Sequence, residues 1–200
     1  GLMGNVLRGK TAGVMGTGKI GKIVIEILEG FGMNLIAYDK YPDKNSNIQY
    51  VTLDDLLSKS NVITLHTPLN SETKYIINSD NISKMKDGVI IINTARGGLV
   101  RTQDLIEALE HNKLGGVGLD VYEHENEYFF EDHSQTCNID LLLRKLLSFD
   151  KVILTGHQAF LTEESLNSIA KTTLNNLKYF LEKGDLMNDV NLYLNGIPVN

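Results

Sequence analysis

The sequence predicts an α/β fold, a doubly wound parallel sheet in three layers with six to seven strands. Three observations lead there. Six short apolar runs, Thr11–Met15, Asn34–Tyr38, Val62–Leu65, Val89–Asn93, Gly116–Asp120 and Val152–Thr155, show little polar alternation, as strands buried on both faces do. Longer stretches with apolar residues three and four apart separate several of them, which is the helical period. A glycine-rich turn joins the first run to the first such stretch. Strand–helix alternation of this kind builds a parallel sheet with helices on both faces.

The helical stretches follow in order. Lys19–Phe31 carries Ile20, Ile23, Val24, Ile27, Leu28 and Phe31 on one side, and Gly32 can end it. Leu53–Ser58 is preceded by Thr52, with Asp55 in the matching capping-box position. Thr102–His111 places Leu105, Ile106 and Leu109 together, with Thr102 as the expected N-cap. Ile139–Ser148 is leucine-rich. Thr162–Glu182 is the longest, with Leu166, Ile169, Ala170, Leu174, Leu177 and Phe180 at helical spacing and Gly184 beyond its end. A short seventh strand is expected at Gln49–Val51. Asp39–Asn47 reads as a polar loop around Pro42, and Glu123–Cys137 as a long acidic connection of the kind that carries function.

Composition narrows the function classes. Apolar residues are 42% and charged residues 22% of 200, ordinary for a globular domain. A net charge of −6 argues against nucleic acid as a partner, since phosphate backbones need a basic face. No apolar run reaches the roughly 18 residues of a membrane span, so no membrane partner is expected. The single cysteine, Cys137, rules out an intrachain disulfide framework and favours a reducing, cytoplasmic compartment. No pair of His or Cys residues has zinc-ligand spacing, so no metal is expected.

The glycine turn is Gly16-Thr17-Gly18-Lys19-Ile20-Gly21, a GxGxxG placed directly after a strand and opening a helix. Gly16 permits the sharp turn, Gly18 lets backbone approach a pyrophosphate, and Gly21 allows close helix–strand packing. The helix N-terminus then faces negative charge. Asp39 ends the second strand 18 residues after Gly21, where an acid can accept from ribose hydroxyls and repel a 2′-phosphate. This is the dinucleotide-binding Rossmann pattern, with NAD as the expected cofactor; the neighbouring Lys40 would soften the rejection of NADP.

Three later strand ends carry reactive side chains: Arg96, then Asp120 and Glu125, then His157. Singly, a surface arginine, solvated acids and a structural histidine are the ordinary readings. Together, at successive strand ends of a dinucleotide fold, they form a hydride-transfer site. The guanidinium clamps a substrate carboxylate, the histidine protonates a carbonyl oxygen, and a carboxylate stabilises the charged ring. His66, at the end of the third strand, is a candidate for the cofactor wall.

These residues, with GKTAGVMGTGKIGK, LHTPLNSETKYIIN, MKDGVIIINTARGGLV, GLDVYEHENEYFFED and VILTGHQAFLTEES, give the chain its resemblance to the D-isomer-specific 2-hydroxyacid dehydrogenases. FFED (Phe129–Asp132) and TGHQAF resemble the fermentative NAD-dependent D-lactate dehydrogenase branch. The resemblance implies substrate-binding Arg96, proton donor His157, and Glu125 as its carboxylate, with Glu123 set aside. It implies cofactor contacts at Lys19, Ile20, Asp39, Thr67, Pro68, Thr73, Thr94, Ala95 and Asp120. The implied activity is reduction of pyruvate to D-lactate by NADH, in a homodimer formed through the cofactor domain. Reduction of glyoxylate or hydroxypyruvate, or an NAD(H)-sensing corepressor of the same fold, are the alternatives. The resemblance also implies a cofactor domain over 1–161. Residues 162–200 would form a crossing helix and tail toward a substrate domain whose N-terminal part this 200-residue chain lacks, leaving the fragment itself without activity.

Overall fold

The computed structural model describes residues 4–129, 140–188, 193–194 and 197–198. Cys137 and most of the 129–132 segment lie outside the described residues. The chain forms two compact units, Gly1–His157 and Gln158–Asn200.

The first unit is built on β1 (Thr11–Met15), β2 (Asn34–Tyr38), β3 (Val62–Leu65), β4 (Val89–Asn93), β5 (Leu114–Leu119) and β6 (Val152–Leu154). They form one parallel sheet in the order β2-β1-β3-β4-β5-β6. The seventh strand expected at Gln49–Val51 is a single parallel bridge, Ala37 to Tyr50, on the outer edge of β2. Two hydrogen bonds hold it, from Ala37 N to Gln49 O and from Val51 N to Ala37 O, both 2.9 Å. Counting that bridge as the third position gives the order 3-2-1-4-5-6-7, which is the 3-2-1-4-5-6 winding of dinucleotide-binding sheets with one further strand, β6, at the far side; its direction reverses between β1 and β3.

The helices of this unit are α1 (Lys19–Gly30), α2 (Leu53–Lys59), α3 (Ser79–Lys84), α4 (Thr102–Glu110), α5 (Glu125–Tyr128) and α6 (Leu141–Leu147). They flank the sheet, and the core lies between the layers. Leu56, Ile63, Leu65, Ile91, Leu105, Leu114 and Leu146 are fully buried there. The strands carry no outward polar row, although burial is uneven: on β4, Val89, Ile91 and Asn93 are buried while Ile90 and Ile92 are only partly so, and Ile153 on β6 is exposed. Thr52 caps α2 as expected: its Oγ1 accepts from Asp55 N at 3.1 Å and donates to Asp55 Oδ2 at 2.8 Å. α4 departs from expectation. Thr102 is its first residue, not its cap, and Glu123 Oε1 accepts from Thr102 N at 3.3 Å. A carboxylate from the loop after β5 thus does the work assigned to the local hydroxyl. α3 and α5 lie in segments where the sequence shows no helical period; α3 is capped by Asn78, whose side chain accepts from Asn81 N at 2.9 Å.

The second unit contains α7 (Glu163–Lys183) and a two-residue antiparallel pair, β7 (Tyr193–Leu194) with β8 (Ile197–Pro198). Thr162 Oγ1 accepts from Ser165 N at 3.2 Å at the start of α7. Gly184, at φ +67°, ends it. Among the described residues no helix is long and apolar enough to cross a membrane.

Candidate active site

Because every strand of the sheet is parallel, all C-terminal ends fall on one edge, and each predicted functional residue sits on a loop leaving that edge or, like Lys19, Ile20, Gly21 and Glu125, in the first turn of the helix that follows. At the reversal point the chain turns at Gly16, φ +89°, where a Cβ would stand 2.7 Å from the His66 carbonyl. A Cβ on Gly21 would stand 2.0 Å from Gly16 O, so that contact also requires glycine. The space beside Gly18 is different: apart from its own chain neighbours, no heavy atom of the described residues lies within 4 Å of a Cβ placed there. Gly18 leads into α1, whose first turn has neither a side-chain cap nor an acidic residue. That leaves backbone N–H groups and the positive end of the helix for an anion.

Beside this turn is a cavity of about 260 Å³ lined by Gly16, Gly18, Asp39, Thr67, Pro68 and Thr73 among the predicted residues, and by His66. Lys19, Ile20, Gly21, Thr94, Ala95 and Asp120 do not line it. Asp39 is fixed at its rim. Its Oδ2 accepts from Thr17 N at 2.7 Å and from Thr17 Oγ1 at 2.9 Å, and its Oδ1 accepts from Tyr41 N at 2.8 Å. Thr17 Oγ1 also meets Tyr50 OH at 2.9 Å, which ties the rim to the Tyr50 bridge. Partial burial pushes the Asp39 carboxyl up, but the hydrogen bonds from Thr17 and Tyr41 outweigh it and hold the group below its ordinary range. Asp39 is therefore ionised at neutral pH, and Oδ1 keeps one lone-pair direction for a further donor.

The cavity fits the adenosine half of a dinucleotide. It has an acid at its rim, an open cradle at Gly18 and an uncapped helix start. Thr67 Oγ1 is buried without a hydrogen-bond partner among the described residues, a polar atom suited to a ligand.

The next three strand ends hold the reactive groups. Asn93 ends β4, and its side chain braces the following turn: Oδ1 accepts from Ala95 N at 3.1 Å and Nδ2 donates to Arg96 O at 2.9 Å. Arg96 is exposed, its Nη1 donating to Ala95 O at 2.7 Å. A Cβ on the adjoining Gly97 would stand 2.1 Å from the Tyr122 carbonyl, so the Arg96 turn rests directly on the loop that carries Glu125. Asp120, buried after β5, accepts from Thr155 Oγ1, and its carbonyl accepts from His157 N at 2.7 Å. His157 adopts φ +53°, uncommon for a residue with a side chain and a mark of imposed geometry. Its Nδ1 lies 3.1 Å from Glu125 Oε1, while Glu125 Oε2 accepts from Tyr122 N at 3.0 Å. Glu125 and His157 are thus joined directly, and Arg96 stands on the abutting loop. Glu123 faces away from this pair to the start of α4.

Comparison with known proteins gives the family of the chain. Residues 1–159 match the model of the D-isomer specific 2-hydroxyacid dehydrogenase NAD-binding domain. The chain belongs to this family and carries its NAD-binding domain. It is 50% identical over 195 residues to a 2-hydroxyacid dehydrogenase homolog of Haemophilus influenzae, covering 95% of this chain and 58% of the relative. It is 50% identical over 188 residues to the D-lactate dehydrogenase of Escherichia coli, covering 92% and 57%. Among solved structures, a D-isomer specific 2-hydroxyacid dehydrogenase of Lactobacillus delbrueckii in its NAD-complexed form superposes with a TM-score of 0.86 at 31% identity, covering 93% of this chain and 58% of the other. The chain thus spans under three-fifths of the length of these relatives.

Sequence reasoning missed the supports: Asn93, Thr17 with Tyr50, and Thr155. Their signal was weak, since a polar residue beside a strand end is ordinary. His66 was expected on the cofactor wall and lines the cavity, with Nε2 2.9 Å from Thr64 Oγ1. Burial pushes its imidazole below the usual value. The unfolded chain therefore takes up a proton near pH 6.5 that the folded one does not, so stability is full above that pH and falls as pH drops toward the folded value. Urea unfolding between pH 7.5 and 5 is expected to show this loss, and His66→Gln to reduce it; an unchanged slope would place its origin elsewhere.

Proposed function

We propose that the chain is the cofactor half of an NAD-dependent D-lactate dehydrogenase that reduces pyruvate to D-lactate. The observation that carries this is the 3.1 Å pairing of His157 with Glu125 beside the Arg96 turn, on the same edge of strand ends as a cavity that fits the adenosine half of a dinucleotide. The 50% identity to the E. coli D-lactate dehydrogenase supports the choice of substrate.

In this reading NADH, when bound, supplies the hydride. Amide groups of Lys19 and Ile20 at the start of α1 hold the pyrophosphate, and Asp39 Oδ1 accepts a ribose hydroxyl. Thr67, Pro68 and Thr73 wall the adenosine. Thr94, Ala95 and Asp120 meet the nicotinamide half. Arg96 gives up its backbone contact and forks onto the pyruvate carboxylate, which orients the ketone. His157, with Nδ1 turned to Glu125, offers Nε2 to the carbonyl oxygen and delivers the proton there. Glu125 fixes the ring and stabilises the positive charge it carries before transfer.

Residues 1–161 act as the cofactor domain and 162–200 as the segment leading to a substrate domain. We also assign the protein to the reducing cytoplasm, consistent with its single cysteine, and to a homodimer through the cofactor domain. The exposed row Ile20, Ile23 and Ile27 on α1, continued by Phe31 at its C-cap, supports that contact. Light scattering is expected to give the dimer mass, and a monomer at all concentrations would contradict it.

In the enzyme that carries this domain, Arg96→Gln is expected to lower kcat/KM for pyruvate by about ten- to a hundredfold, the value of a charge-assisted hydrogen-bond pair. His157→Gln should lower kcat by roughly a hundredfold or more. NADH affinity measured by calorimetry should change little in either variant. Equal loss of NADH binding and turnover would contradict the roles given to both residues.

A further inference from the structure

Lys40 directly follows Asp39 and lines the same cavity; among the described residues lining it, Lys40 is the one lysine or arginine. A lysine beside a ribose site is a ready partner for a 2′-phosphate. Its ammonium is engaged elsewhere. Nζ donates to both carboxylate oxygens of Glu72, at 2.6 Å to Oε1 and closer to Oε2. Glu72 lines the cavity from the opposite loop, between β3 and α3.

The two partners are not equally free. Glu72 stands on a turn fixed from within. Asn70 Oδ1 accepts from Glu72 N at 2.9 Å and from Thr73 N at 3.0 Å, and Thr73 Oγ1 donates to Pro68 O at 2.6 Å. Lys40 reaches it on a flexible four-carbon stem. The pairing therefore draws the ammonium to Glu72, and the Glu72 hydrogen bond raises the Lys40 pKa accordingly. Across the rim the formal charges are Asp39 negative, Lys40 positive and Glu72 negative. A nucleotide with a free 2′-hydroxyl meets the acceptor on Asp39. One with a 2′-phosphate meets two carboxylates and a cation already engaged.

We propose that Glu72 is a positioning residue that sets cofactor choice: by holding Lys40 across the rim of the cavity, it withholds that cation from a 2′-phosphate. This rests on the dinucleotide reading of the site. Both side chains are more than half exposed, so the effect is that of a surface ion pair and is weakened by salt.

The test is calorimetric titration of the 200-residue chain with ADP-ribose and with 2′-phospho-ADP-ribose, at low and high salt. The variants are Glu72→Gln, Lys40→Gln and the double variant, each checked for an unchanged melting transition. Glu72→Gln is expected to shift the affinity ratio toward the phosphorylated ligand by roughly three- to fivefold at low salt. The shift should shrink at high salt and vanish in the double variant. An unchanged ratio with ADP-ribose still bound would overturn the role of Glu72 alone. The same gain without Lys40 would also overturn it, since charge removal and not release of Lys40 would then be the cause. Failure of the wild-type chain to bind ADP-ribose or NADH would instead overturn the dinucleotide reading itself.

Discussion

Parallel strand pairing is the constraint on which the rest depends. A strand that must run beside its predecessor in the same direction forces the chain back across the sheet each time, and helices are the economical way to return. The helices pack against the sheet and bury Ile63, Leu65 and Ile91 fully, while Ile90 and Ile92 are only partly buried and Ile153 on β6 is exposed. The same pairing collects six C-terminal strand ends along one edge. There the backbone stops pairing with its neighbours, and loops are free to present side chains. Reversal of the winding between β1 and β3 opens the gap at which Gly16 turns against His66.

Along that edge the chemistry is divided by strand. The β1 and β2 ends make an anion-tolerant turn and an ionised acid, while the β4, β5 and β6 ends make a cation, a buried carboxylate and a histidine held by a second carboxylate. The loops support one another in ways a single side chain cannot. Asn93 ties down the turn that carries Arg96, and Gly97 lets that turn rest on Tyr122. Tyr122 in turn donates its N–H to the carboxylate that meets His157. Geometry at Arg96 and at His157 is therefore set by one contiguous set of contacts, in which the side chains of Asn93 and Glu125 bond to neighbouring backbone.

Much of this was legible in the sequence, for identifiable reasons. The apolar runs and the glycine turn each report a local requirement, so their residues can be read without neighbours. The order Arg96, Glu125, His157 follows once strand ends are known. What could not be read depends on partners distant in sequence. Thr102 has the side chain of an N-cap, yet Glu123, 21 residues on, takes that place. The Gln49–Val51 strand shrinks to one bridge because it sits outside the edge strand with a single row of partners. α3 has six residues and α5 four, too short for an apolar period to declare itself. The pairing of Lys40 with Glu72, 32 positions apart, has no local signature at all.

The central claim is that one edge of the sheet holds both the cofactor and the reacting groups. The most direct measurement is a backbone amide NMR titration of the 200-residue chain with NADH. Shifts are expected to concentrate at residues 16–21, 39–41, 66–73 and 94–96 and at Asp120 and His157, with little change at Asn61, Asp87 and Lys113 on the opposite edge. Shifts centred on that opposite edge, or none at saturating NADH, would contradict it.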